Sequence, residues 1–167
     1  IDINAGKLAA WGKAVAHCPP GLEGLDANGE SIWKGNLQAD RCGIKVLGAP
    51  LGNPEYIQKF CDDVVTEKSK LLNIIPKLTS LQASWLLLYF CAVPRVNHLL
   101  RNVPPMHAQV FGHTHDANVL ACFREVFGIP TARQWEDRLH NVAFGAWVKQ
   151  SRLALRLGGC GLRNSAR

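Results

Sequence analysis

From Pro54 onward the apolar positions fall at steps of three and four. Tyr56, Ile57, Phe60, Val64, Leu71, Leu72 and Ile75 make one stripe, the spacing of a helix with one buried face. Pro54 suits the first turn, where its missing N–H would be unpaired anyway, and Glu55 sits near the positive end of the helix dipole. Pro76 stops this helix. A second helix is predicted over about residues 80–102, with Thr79 or Ser80 as its cap. Its run "SWLLLYFCAV" is apolar all round, so it is expected to be the central, buried helix. Pro94 should kink or break it. A third helix is predicted from about His107 to Phe127 and ends at Gly128. A fourth, over about residues 132–149, sets Trp135, Leu139, Val142, Ala143 and Trp147 on one face.

The pattern before Pro54 is different. "DINAGKLAAW" reads as a strand edge and turn, and "CPPGLEGLDANGESIWKGN" as an irregular loop with Pro-Pro and Gly-flanked turns. "CGIKVLGAPLG" carries a strand signal over residues 44–47, punctuated by Gly48 and Gly52. Short strands with no hairpin partner imply sheet neighbours outside this sequence. The predicted fold class is therefore mainly α with a small β/loop N-terminal part (α+β), a bundle of three to four helices after short strands. Three units follow: a β and loop segment over 1–53, a helical bundle over 54–150, and a Gly/Arg-rich connector over 151–167.

Charge sharpens this division. The net charge is +6, and residues 1–93 hold nine Lys/Arg against nine Asp/Glu. Residues 94–167 hold ten Lys/Arg, nine of them Arg, against four acids. An Arg-rich, acid-poor half fits a phosphate-bearing partner, because the guanidinium fork matches phosphate oxygens. A solvated basic face is the plainer alternative. The six cysteines include no C-x-x-C pair, so neither a zinc knuckle nor a redox pair is indicated. Cys61, Cys91 and Cys122 fall in apolar helical stretches and read as small buried hydrophobes. The densest apolar run, residues 85–93, is too short to span a bilayer. No signal peptide is evident. An intracellular protein, nuclear or cytoplasmic, with reduced thiols and no membrane partner is expected.

Several short motifs offer chemistry. "FCDD", residues 60–63, has the order in which polymerases present metal-binding carboxylates. Here it lies mid-helix, with Asp62 and Asp63 opposite the apolar stripe, so it reads as solvated surface and not as a metal site. "HTHD" places His113 and His115 two apart, which points them away from each other on a helix. Asp116 reads as half of a surface pair, and so do Asp137 and His140. No metal site, phosphate loop or nucleophile elbow is found. "VPRVNHLLRNVPP" is more specific. Prolines bracket a short helix bearing Arg95 and Arg101 near one face, with Asn97 and His98 as further donors. Such a helix suits contact with a nucleic-acid backbone; the alternative is two snorkelling arginines.

Four segments, in order, resemble the back half of a reverse transcriptase from a non-LTR (LINE-type) retrotransposon. "INAGKLAAW" resembles the stretch after the catalytic hairpin, "GIKVLGAPLG" the primer-grip motif, "LLLYFCAVPRVNHLLR" a thumb helix, and "RLALRLGGCGLRNSAR" the signature that follows the thumb. Cys160 replaces a usual leucine there, and Ala154 stands where proline is common. The resemblance implies that Lys7 assists protonation of the leaving pyrophosphate. It makes Val46, Leu47 and Gly48 the primer grip. Arg95, Arg101, Arg152, Arg156 and Arg163 would track the duplex, with Arg152 and Arg156 one helical turn apart on one basic face. The catalytic hairpin would lie before Ile1. The palm and fingers of the same polypeptide are then expected partners. The Mg²⁺ of the intact polymerase would bind there, with no cofactor in this chain. The expected function is template–primer binding as part of an RNA-directed DNA polymerase, catalytically incomplete alone. The alternative is a stand-alone basic helical module, or a degenerate remnant repurposed as one, that binds nucleic acid or another partner.

Overall fold

A computed structural model describes residues 8–13, 15, 17–26, 28–129, 138–163 and 165, without the side chains of 138–144. The described chain is mainly helical, with a small antiparallel sheet ahead of the helices. This is the α+β arrangement that the periodicity predicts.

The sheet is a hairpin. Strand β1 (Gly43–Val46) pairs with β2 (Ala49–Gly52) through the register Gly43 to Gly52 and Val46 to Ala49. The strand thus has its partner within this sequence, contrary to the expectation of sheet neighbours elsewhere. Ahead of it, the "CPPGLEGLDANGESIWKGN" segment is loop, tightened where Asp26 Oδ1 accepts from the Asn28 and Glu30 N–H groups, each at 2.9 Å.

Helix α1 (Pro54–Ile74) begins on Pro54 as expected and buries Ile57, Cys61 and Leu72. Helix α4 (Pro105–Val126) starts on Pro105. It ends where Gly128 turns left-handed at φ 62 and the Ile129 N–H reaches back to Arg124 O at 2.9 Å. The N-terminal parts of α1 and α4 share one apolar cluster (Ile57, Cys61, Ala108, Phe111), and their C-terminal parts share another (Leu72, Val119, Phe123, with Ile75 just beyond α1). The two helices therefore run side by side in the same direction, and the chain between them must return.

That returning stretch is not one uniform helix. Ser80 caps α2 (Leu81–Leu86), its Oγ accepting from Ala83 N at 3.3 Å. The backbone then widens into a π-helix over Leu87–Ala92, where the Val93 N–H reaches Leu88 O, five residues back. It tightens to a 3-10 turn, Val93–Val96, and recovers as α3 (Asn97–Asn102). Pro94 explains the irregularity. It has no N–H to offer the Phe90 carbonyl, and its ring crowds that carbonyl, so the winding must open before it.

The stretch is also not buried all round. Leu88, Ala92 and Val93 face the core, while Leu86, Phe90 and Cys91 are exposed. An apolar run supplies no polar face, but packing against α1 and α4 covers only one side. Cys61 and Cys122 are buried as expected, and burial pushes their thiols up to about 11 and about 12.

Helix α5 (Arg138–Arg152) follows. Of its expected apolar face, Trp147 meets Phe123 edge-to-face at 6.1 Å. Trp135 and the side chains of Leu139, Val142 and Ala143 lie outside the described residues, as do Asp137 and the side chain of His140. Beyond Arg152 the chain folds back. The N–H groups of Cys160, Gly161 and Leu162 donate to Gln150, Leu153 and Ser151. Leu162, only 3% exposed, enters the cluster around Leu88 and Phe123.

Candidate nucleic-acid interface

The hairpin tip carries the three residues that resemble a primer grip. The type I′ form of a two-residue turn between right-twisted strands needs positive φ at both positions. Leu47 has φ 48 and Gly48 φ 87. Glycine takes this region freely; leucine does so at a cost of about 1–2 kcal/mol. Leu47 is nonetheless 93% exposed, so no burial of its side chain repays that cost.

The tip is held from α3. His98 Nε2 lies 2.9 Å from the Leu47 carbonyl, and a carbonyl only accepts, so Nε2 carries the proton. Nδ1 is then free to accept from Asn102 Nδ2 at 3.3 Å, and the same amide donates to His98 O at 2.7 Å. A Cβ at Gly48 would come within 3.3 Å of the imidazole. His98, expected as a donor to phosphate, instead positions the hairpin. At the other end Gly43 and Gly52 pack beneath Tyr56 of α1. The hairpin is thus pinned at base and tip by two different helices.

Arg95 and Arg101 are exposed on the 3-10 turn and on α3, next to the residues that grip the tip. Arg163 is exposed and borders the same turn, sharing a cleft with Pro94 and Asn97. The segment 94–101 thus supplies His98 to the hairpin tip and Pro94 and Asn97 to the cleft that Arg163 borders. Arg152 and Arg156 are exposed too, but do not share a helical face. The helix ends at Arg152, Ala154 is extended at ψ 147, and Arg156 sits in a separate 3-10 turn closed by left-handed Gly158. The reason is packing: Gly159 passes against the Leu153 backbone so closely that any side chain would collide. Lys7 lies outside the described residues.

None of these five arginines takes part in an ion pair among the described residues. The ion pairs found there, Lys34–Glu30, Lys59–Asp40 and Lys68–Glu67, all use lysine and all lie in the charge-balanced part. Asp62 and Asp63 are exposed on α1, and Asp62 accepts from Gln58 Nε2 at 3.0 Å. Among the described residues no group of three His, Cys, Asp or Glu could hold a metal ion. The carboxylates among the described residues do not fit a two-metal site.

The "HTHD" segment departs from its expected surface role. His113 is exposed and His115 buried, so the two do point apart. Asp116, however, is buried, and both its carboxylate oxygens lie 2.9 Å from the Ser165 N–H. It ties the C-terminal segment to α4. His115 is 2% exposed and its Nε2 has no hydrogen-bond partner. Burial holds its pKa below the ordinary 6.5, outweighing the neighbouring Asp116 charge and a hydrogen bond to the Val93 backbone. The folded chain thus prefers the neutral ring, and the unfolded chain takes up the proton first as pH falls. The contribution of His115 to stability is full above pH 6.5 and declines below it. Denaturant melts at pH 7.5 and 5.5 should show this decline, and His115→Gln should show less of it.

No helix among the described residues is long and apolar enough to cross a membrane. No family model matches the chain, and neither the curated proteins nor the solved structures include a detectable match to it.

Proposed function

We propose that this chain binds the backbone of a template–primer duplex as the palm edge and thumb of a non-LTR-type reverse transcriptase. The hairpin tip at residues 46–48 meets the primer strand, and Arg95, Arg101 and Arg163 take phosphates. Arg152 and Arg156 add contacts from the end of α5 and the turn beyond it. Leu47 is the observation that carries this reading. A leucine held exposed in a left-handed conformation contributes nothing to the fold, and strain of this kind is kept where a site uses it. Its neighbours add support, since the tip is fixed beside arginines that no carboxylate in the described chain neutralises.

The test separates fold from function. Leu47→Asn creates the Asn-Gly pair that this turn prefers. It should raise stability by up to about 1 kcal/mol and weaken binding to a labelled RNA–DNA hybrid. Unchanged or tighter binding would remove the tip from the interface. The chain by itself should give no primer extension with Mg²⁺ or Mn²⁺, because Asp62 and Asp63 stand on a helix surface. Template-dependent extension abolished by Asp62→Asn with Asp63→Asn would overturn that assignment.

A further inference from the structure

Between the π-wound stretch and the returning C-terminal segment lies a cleft of about 260 Å³, lined by Tyr89, Phe90, Pro94, Asn97, Gly161 and Arg163 among others. No carboxylate among the described residues lines it. It is smaller than the roughly 300–1,000 Å³ typical of pockets for whole small-molecule ligands. Its two rings differ in freedom. Tyr89 is backed by Gly161, where an added Cβ would come within 3.3 Å of the ring. Phe90 stands edge-to-face on Tyr89, with centroids 4.9 Å apart, and is 66% exposed. Phe90 lies on the outer face of the π-wound stretch, while Leu88 and Ala92 stay in the core. Such winding is rare and is frequently found at functional sites.

We infer that this cleft takes one unpaired nucleotide, its base stacked on Phe90, its phosphate on Arg163 and its base edge within reach of the Asn97 amide. This rests on the nucleic-acid reading above and adds a single-strand site to it. Every base has a π-face, so an exposed ring over a fixed one accepts any base. A guanidinium at the rim matches the phosphate oxygens. The surrounding half of the chain is cationic, which favours an anionic strand over an acid-poor peptide.

The test compares a blunt RNA–DNA hybrid with the same hybrid bearing a short single-stranded extension labelled with 2-aminopurine. The extension should tighten binding about tenfold and the fluorophore should be quenched. Phe90→Leu keeps apolar bulk without a ring face. It should abolish the gain and the quenching while leaving blunt-hybrid affinity unchanged. Phe90→Trp should retain both, which guards against a folding effect of substitution at this site. The cleft proposal falls if the extension adds neither affinity nor quenching. It also falls if Phe90→Leu weakens blunt and extended hybrids alike. Loss of the underlying duplex reading would appear differently, as no binding of the blunt hybrid by the unmodified chain at low salt.

Discussion

Leu88→Ala should destabilise the chain by about 2–5 kcal/mol, the range for emptying a packed aliphatic site. Leu88 is 0% exposed and lies in the cluster formed by Leu72 from α1 and Ile75 just beyond it, Val119 and Phe123 from α4, and Leu162 from the C-terminal return. Three parts of the chain converge on it, so the vacated volume cannot be refilled by moving one of them. Leu86→Ala removes the same atoms two residues earlier from an exposed position. It should change stability by no more than about 0.5 kcal/mol. Urea melts of both variants check the result. Equal losses would mean that the face of the π-wound stretch has been assigned wrongly.

Replacing Arg95 and Arg101 together by Ala should lower affinity for any duplex and flatten its salt dependence. Each phosphate contact releases condensed counterions, contributing a log–log slope of roughly −0.9. Two lost contacts should therefore reduce the slope by about two. The matched control replaces Lys34 and Lys45. Lys34 is already paired with Glu30 at 2.8 Å, and Lys45 lies 5.6 Å over the Phe60 ring, so each already makes a contact within the charge-balanced part. A salt titration with a labelled hybrid, both double variants alongside, reads the outcome. If the two variants behave alike, the arginines are ordinary solvated surface and the duplex reading loses its physical basis.

Much of the local structure was legible in the chain. The three-and-four spacing after Pro54, the Pro54 start, the Ser80 cap and the Gly128 stop all mark features that the structure contains. Each depends on residues within one or two turns of one another, which sequence spacing encodes directly. The hairpin was missed because Pro50 and Gly52 weaken the strand signal of β2, and Leu47-Gly48 lacks the usual Asn-Gly or Asp-Gly mark of its turn.

For the candidate site, the sequence by itself determined which residues were present: a net positive charge that arises after residue 93 and is carried mainly by arginine, and a Pro-bounded segment holding two of those arginines. Only the tertiary structure decided their arrangement. It turned His98 from a donor to phosphate into the pin of the hairpin tip, buried Asp116 against the Ser165 N–H, and separated Arg152 from Arg156. It also chose which side of an all-apolar stretch would face water, leaving Phe90 and Cys91 outside. Periodicity describes hydrogen bonds between near neighbours in the chain. Burial and long-range polar contacts depend on which distant segments pack together, and an unbroken apolar run carries no mark of the side that its partners will leave uncovered.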